Sequence, residues 1–143
     1  MRARRDEGVV TAFVVIFATA LLFVTGLVLD GGRILTTKRQ DRNIAQSAAR
    51  AGAQVLDDQS VRAGHPTLDP AGAQGAACNL LAQAGHACGG GSSVQVQGNQ
   101  VIVTITDTVN LVMIPGVAPQ TFTVEGRACN AQGITGNETT AHC

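Results

Sequence analysis

A long apolar run dominates the pattern near the start of the chain. Residues 8–29 carry no charge, and no side chain among them is more polar than threonine. As an α-helix with a rise of ~1.5 Å per residue, this run measures about 33 Å, enough to cross a bilayer core of ~30 Å. Its threonines can hydrogen-bond back to the preceding helical turn, so they are tolerated there. The run therefore predicts a transmembrane helix.

A cleaved signal peptide is the alternative for this run. Signal peptides have an apolar core of about 7–15 residues followed by a small-x-small cleavage site. Here the core is longer, and Ala18-Thr19-Ala20 lies in its middle with apolar sequence on both sides. The pattern favours an uncleaved anchor, which is preceded by a basic tail at residues 1–7.

The pattern changes after residue 29 but continues to favour a helix. Residues 30–57 are rich in helix formers and contain no proline. Small residues recur every three or four positions in the second half, which is the spacing of one helix face. The sequence thus predicts one long helix with a membrane half, residues 8–29, and a projecting half, residues 30–57. The small-residue face fits either this protein's own sheet or a partner, and we favour its own sheet.

A short second helix is predicted next, after a polar loop at residues 57–70. Asp69 can cap its N-terminus, Pro70 suits the first turn and Gly85 is a natural stop. The apolar stripe of this helix consists of Ala73, Ala77, Leu80, Leu81 and Ala84. The glycine-rich residues 85–93 then predict a flexible connector.

Alternating apolar and polar residues then predict three β-strands. Residues 94–97 and 101–106 alternate on either side of Gly98-Asn99, a pair that favours a tight hairpin turn. A third strand is expected near residues 121–128, with two apolar side chains on its buried face. Those side chains are Phe122 and Val124.

Two further segments predict irregular structure. Residues 111–119 are apolar but interrupted by two prolines, which favours a connector folded over the sheet, and residues 130–143 are polar and loop-like. Together the elements predict an α+β fold in which a long N-terminal helix packs on a small antiparallel sheet of about three strands, with one extra short helix. Residues 58–143 are expected to form one domain beyond the projecting half.

Composition and charge limit the kinds of partner that the chain is expected to bind. The chain has 45% apolar and 14% charged residues, and its ten basic and ten acidic side chains cancel. Residues 1–50 are net basic and residues 51–143 net acidic. A basic part beside an apolar run favours contact with the lipid bilayer and its anionic headgroups. An acidic second part with a single aromatic residue argues against nucleic acid as a partner.

The cysteines predict disulfides rather than a metal site. They are Cys78, Cys88, Cys129 and Cys143. Histidines stand close to the second and fourth, but no C-x2-C pair of a zinc knuckle is present. Short loops close with less entropy loss than long ones, so we expect Cys78–Cys88 and Cys129–Cys143. Crossed pairing of Cys78 or Cys88 with Cys129, which would tie the short helix to the sheet, stays open.

Nothing in the sequence predicts catalysis. The chain contains neither a G-x-S-x-G nor an H-E-x-x-H motif. Gly89-Gly90-Gly91 lacks the Lys-Ser/Thr pair that completes a phosphate-binding loop. We therefore expect no catalytic residues, no cofactor, no metal and no small-molecule substrate, and we do not expect an enzyme.

Orientation in the membrane is decided by the cysteines rather than by the flanking charges. Basic residues are about equally frequent on the two sides of residues 8–29, so the positive-inside rule does not choose between orientations. All cysteines lie beyond residue 77, and paired cysteines belong in an oxidising compartment. The prediction is a single-pass protein of the cell membrane with a cytoplasmic N-terminus and an exported C-terminal domain.

Two motifs along the predicted long helix resemble a known family. The apolar run closes with Gly26, Asp30, Gly32 and Arg33, and the Ala-rich segment that follows closes with Ala51-Gly52-Ala53. This arrangement over about residues 8–55 resembles the N-terminal region of TadE/TadG-like proteins of Flp-type (tight adherence) pilus assembly systems. Asp30 and Arg33, at i and i+3 of a helix, can pair at the headgroup boundary and hold the helix end at its depth.

The resemblance implies a function that the residues alone do not. It implies a non-catalytic, membrane-anchored, minor pilin-like component of a Flp-type pilus assembly or related secretion apparatus. Its partners would be other pilin-like or assembly-platform proteins. The alternative is an anchored cell-envelope binding or adhesion module unrelated to pili. Family members cut by prepilin peptidase carry a glycine followed shortly by glutamate, whereas Gly8 is followed by VVTAF, so we expect no efficient cleavage there.

Overall fold

The computed structural model describes residues 6–111 and 118–130 and shows the expected α+β fold. Three helices precede three strands, and the strands form one sheet in the order β1-β2-β3. The elements are α1 (Asp6–Ala53), α2 (Asp58–Arg62), α3 (Pro70–Gln83), β1 (Ser92–Gln97), β2 (Gln100–Val109) and β3 (Gln120–Cys129). Internal contacts divide the described residues into two units: residues 6–36 with 109–111 and 118–120, and residues 37–108 with 121–130.

The first unit contains the apolar part of α1. Every Val, Ile, Leu and Phe side chain in residues 8–29 is more than half exposed, up to 76% at Phe23. The hydroxyls of Thr19 and Thr25 donate to the carbonyls of Val15 and Leu21, as expected for threonines in an apolar helix. By length and composition, α1 is the one helix among the described residues that could cross a membrane.

The end of α1 differs from the prediction. The helix stops at Ala53, four residues before Asp57, because Asp57 is the N-cap of another helix. Its carboxylate accepts a hydrogen bond from the Ser60 backbone N–H at 2.9 Å. The predicted polar loop therefore contains the five-residue α2, whose capping bond defines it although none of its side chains is buried.

The prediction for α3 is confirmed in type and in both ends. The Asp69 carboxylate accepts from the backbone N–H groups of Ala71 and Gly72, and Gly85 has the left-handed φ of 89° that ends the helix. Ala73, Ala77 and Leu81 of the predicted stripe are buried. Ala84 is exposed instead, because it is already the C-cap residue.

The predicted hairpin and third strand are confirmed as well. β1 and β2 pair antiparallel around the two-residue turn Gly98-Asn99. β3 lies beside β2, where the hydroxyls of two cross-strand threonine pairs approach to 3.1 Å; the pairs are Thr106–Thr123 and Thr108–Thr121. Alternate residues of both strands turn to one buried face, which comprises Val101, Val103, Ile105, Phe122, Val124 and Ala128. The predicted connector and tail lie outside the described residues at positions 112–117 and 131–143.

The second unit is held together by a close approach of α1 to the sheet. The buried face of α1, the small-residue face, consists of Ala45, Ala48, Ala49, Gly52 and Ala53. At Gly126 of β3 the helix comes so near that an added Cβ would overlap the backbone of Ala45 and Gln46. The helix therefore packs backbone to backbone on β3, and this requires glycine on the strand.

Gly126→Ala is expected to destabilise the second unit by about 1–3 kcal/mol, because helix and strand must separate to admit the methyl group. Thermal unfolding of the full chain in detergent, followed by circular dichroism, measures the loss. Gly75→Ala on α3 is the control, since an added Cβ there meets nothing within 4 Å and the change favours a helix. Equal melting temperatures for Gly126→Ala and wild type would contradict the close packing.

Candidate functional site

The residues that carry the family resemblance lie in both units. Gly26, Asp30, Gly32 and Arg33 belong to the first unit, and Ala51-Gly52-Ala53 to the second. Asp30 is only 2% exposed, which is unusual for a carboxylate, whereas Arg33 is exposed. The ion pair between Asp30 and Arg33 stays a prediction.

Gly52 is the point where α1 meets two other elements. A Cβ built on it would lie 2.9 Å from the carbonyl oxygen of Ala73 on α3 and 3.1 Å from a methyl carbon of Val101 on β2. Both distances are shorter than ordinary van der Waals contact, so glycine is needed here. The small-residue face is thus occupied by this protein's own elements, which is the alternative that we favoured from the sequence.

Two polar contacts tie α1 to β3 beside this packed face. The Lys38 ammonium lies 5.3 Å from the centre of the Phe122 ring, within the range of a cation–π interaction. The Gln46 side-chain amide donates to the Arg127 carbonyl at 3.1 Å. The Asn130 N–H donates to the Asn99 carbonyl, so the backbone N–H and C=O groups of the even-numbered β3 residues point toward β2. The Arg127 carbonyl therefore points away from β2, at the outer edge of the sheet. Gln46 therefore satisfies a backbone group that β2 cannot reach.

A disulfide closes the turn after α3. Cys78 and Cys88 are bonded, with their Cα atoms 5.6 Å apart. This confirms the first predicted pair and rules out crossed pairing of these two cysteines. Cys143 lies outside the described residues, so the Cys129–Cys143 pair stays a prediction. The flexible connector predicted after Gly85 is instead an ordered turn, in which Gly89 N–H bonds to the Ser92 carbonyl and residues 92–93 already belong to β1.

The disulfide-closed turn brings a histidine to a buried acid on α1. His86 Nε2 lies 3.5 Å from Asp41 Oδ1, and Asp41 is 3% exposed. The other carboxylate oxygen, Oδ2, is buried and has no hydrogen-bond partner among the described residues. We refer to these two side chains as the Asp41–His86 pair. The one signal for it in the sequence is Asp41, an acidic residue at helical spacing from the small residues that follow, but this spacing alone does not predict a buried pair.

Burial dominates the electrostatics of this pair. Loss of water raises the pKa of the Asp41 carboxyl above its ordinary value of 3.8, and the Asp107 carboxylate on β2 raises it further. The charge and hydrogen bond of His86 act in the opposite direction without cancelling the effect of burial. Burial therefore disfavours the charged form of Asp41, and the contact with His86 only partly offsets this cost.

One open feature among the described residues is a groove between the ends of α1 and β3. It is lined by Arg50, Ala53, Gln54, Leu56, Ala128, Cys129 and Asn130. Among the described residues, no cluster of three or more His, Cys, Asp or Glu could hold a metal ion. This arrangement holds the second half of α1, α3 and the sheet together through small-residue packing, one disulfide and one buried pair.

A comparison with known protein families supports the resemblance. Residues 8–55 match the model of the Tad family, described as "Putative Flp pilus-assembly TadE/G-like". The match covers about one third of the chain and coincides with α1 to within two residues at each end. No curated protein and no solved structure matches the chain significantly.

The raised pKa of Asp41 predicts how stability depends on pH. A raised pKa means that the folded protein holds this proton more tightly than the unfolded chain does. The resulting stabilisation is complete below 3.8 and is lost as the pH rises through the raised pKa. Relative to Asp41→Asn, the wild type should therefore lose melting temperature as the pH rises from 3.8 through the raised pKa of Asp41, and no further above it.

The measurement is a series of thermal unfolding curves on the full chain in one detergent. Asn43→Gln changes an exposed, non-titrating side chain of the same helix, so its pH profile should run parallel to wild type. A parallel profile for Asp41→Asn would show that the Asp41 proton is not linked to folding.

Proposed function

We propose that this chain is a membrane-anchored, non-catalytic component of a Flp-type pilus assembly or related secretion apparatus, with a minor pilin-like role. The observation that carries the proposal is the family match over residues 8–55, which covers a single structural element, α1. Both motifs of the resemblance lie on this helix, and Gly52 of the second motif is required by packing.

Membrane anchoring is supported by the exposed apolar side chains of residues 8–29. A row of exposed apolar side chains more than 20 residues long has no place on a surface in water, whereas it matches the thickness of a bilayer core. Within this stretch, threonine hydroxyls donate to helix carbonyls rather than remaining unsatisfied. Residues 8–29 are thus proposed as the transmembrane segment, with the lipid bilayer as the first partner.

The proposed orientation places residues 1–7 in the cytoplasm and residues 58–143 outside it. The Cys78–Cys88 disulfide supports this placement, because disulfides persist in oxidising compartments and are rare in the cytosol. Residues 30–57 would then connect the membrane to the exported domain. The second half of α1 lies within residues 30–57 and also packs against α3 and the sheet of the proposed exported domain.

Contact with other pilus-assembly proteins is assigned to the apolar half of α1. The small-residue face of the second half is already covered by α3 and the sheet, so it is not available to a partner. Residues 8–29 leave their apolar side chains uncovered within the first unit. A helix of another pilin-like or assembly-platform protein can pack there within the bilayer.

Deleting the gene in its native bacterium tests the proposed function. The expected result is loss or strong reduction of Flp-type pili, counted by electron microscopy, with recovery when the full chain is supplied. The Gly75→Ala variant is a matched control that should restore pili as well as wild type does. Normal pilus numbers with reduced attachment would instead favour an adhesion module unrelated to pili.

Topology is predicted to be a cytoplasmic N-terminus and an exported C-terminus, because a disulfide-containing domain must reach an oxidising compartment. A reporter active only outside the cytoplasm, fused after Cys143, should be active. A cytoplasm-dependent reporter at the same position should be silent and serves as the control. The reverse pattern would overturn the proposed orientation.

A further inference from the structure

The Asp41–His86 pair and the Cys78–Cys88 disulfide are neighbours in the fold. His86 stands two residues before Cys88, inside the loop that the disulfide closes. Its backbone N–H bonds to the Leu81 carbonyl, and its imidazole faces Asp41 of α1. One covalent bond within α3 and its turn therefore fixes the segment that supplies the one partner seen for a buried carboxylate in the described part of the chain.

We propose that the Cys78–Cys88 disulfide is a redox latch, whose closure sets His86 against Asp41 and so fastens α3 to α1. The inference concerns the second unit alone and does not depend on a role in pilus assembly. Closed, the latch couples α1 to α3 and its turn, which are distant from Asp41 in sequence. Open, it leaves the buried carboxylate without its partner.

The charges around Asp41 make His86 irreplaceable. α3 carries no charged residue, so His86 is the one titratable side chain that α3 and its turn bring to α1. β2 contributes Asp107, which repels the Asp41 charge. On α1 itself, Lys38 lies over Phe122 and Arg42 is exposed. A buried carboxylate that loses its partner strongly destabilises the folded protein. This part of the contact between α1 and α3 therefore depends on His86 staying in place.

The backbone after His86 explains why a covalent bond is needed to keep it there. Cys88 is followed by three glycines, of which Gly89 and Gly91 adopt φ values of 91° and 121°. Glycines have the largest conformational freedom of any residue in the unfolded chain. Once the disulfide is opened, only backbone hydrogen bonds such as that from Thr106 N–H to the Gly91 carbonyl hold this run, and the entropy that its glycines gain on release favours the departure of the turn and of His86 with it.

The chemistry of the latch is thiol–disulfide exchange. Closure forms the bond between the Sγ atoms of Cys78 and Cys88 and removes two electrons and two protons from their thiols. An oxidant of the disulfide class, R–S–S–R, takes them up and is released as two thiols. Opening is the reverse reaction with a dithiol reductant.

The test measures the effect of His86 with the latch closed and open. Replacing Cys78 and Cys88 together by alanine gives an open form that leaves the other two cysteines unchanged. The full chain in detergent is then compared as wild type, His86→Ala, Asp41→Asn and the double variant, each in both forms. His65→Ala is the matched control, because His65 is exposed in the loop after α2.

Closed protein should lose about 5 °C in melting temperature on His86→Ala, and less than half as much when Asp41 is already asparagine. In the open form the same change should cost about 1 °C or less in either background. His65→Ala should have no effect in any form. Amide hydrogen exchange should accelerate on opening by a larger factor at residues 84–91 than in β2, where protection falls only with the global loss of stability.

Three results would overturn the latch. An equal loss on His86→Ala in closed and open protein would mean that the disulfide does not position His86. Additive effects of His86→Ala and Asp41→Asn in closed protein would mean that the two side chains are not coupled. Equal acceleration of exchange in β2 and at residues 84–91 on opening would mean that the disulfide supports the whole unit rather than one local contact.

Discussion

The backbone contact between α1 and β3 is the constraint on which the second unit depends. Phe122 is the one aromatic residue in the core of this unit, which is otherwise built from aliphatic and small side chains. Glycine and alanine allow the helix and strand to approach until main-chain atoms meet, and dispersion contacts between backbones replace those of large residues. Gly126 and Gly52 mark the two places where any side chain would hold the elements apart.

Close packing of this kind leaves polar groups near the interface that need partners. Gln46 supplies one for the outer edge of β3, and His86 supplies one for Asp41. The disulfide keeps the second of these contacts in place by closing the turn after α3. α1 thus carries two kinds of surface, a half whose apolar side chains are uncovered and a half whose small side chains are covered. The family match spans both, which is consistent with a helix that anchors at one end and organises a domain at the other.

The sequence predicted those parts of the fold that are set by local chemistry. The capping residue Asp69, the stop at Gly85 and the turn at Gly98-Asn99 act within a few residues of themselves, so they define α3 and the hairpin without a structure. The Cys78–Cys88 bond was predictable for the same reason, because loop length favours neighbouring cysteines.

Contacts between residues that are far apart in the chain could not be predicted from the sequence. Gln46 and Arg127 are 81 positions apart, and nothing local indicates that they meet. Gly126 gives no signal of its own in the sequence, and its role appears only once α1 lies on β3. α2 was missed because its five residues, four of them polar, bury no side chain and carry no periodic pattern, and only the bond from Ser60 N–H to Asp57 reveals it.

The most direct measurement of the central claim is photo-crosslinking from the apolar half of α1 in the native bacterium. A photoreactive amino acid replaces Leu22, which is 74% exposed, and the crosslinked protein is identified by mass spectrometry. The same amino acid at Ala48, which is fully buried, controls for random capture. A pilin-like or assembly-platform protein of a Flp-type system, captured from Leu22 and not from Ala48, is the predicted result. Crosslinks from Leu22 that reach only proteins unrelated to such a system would contradict the account.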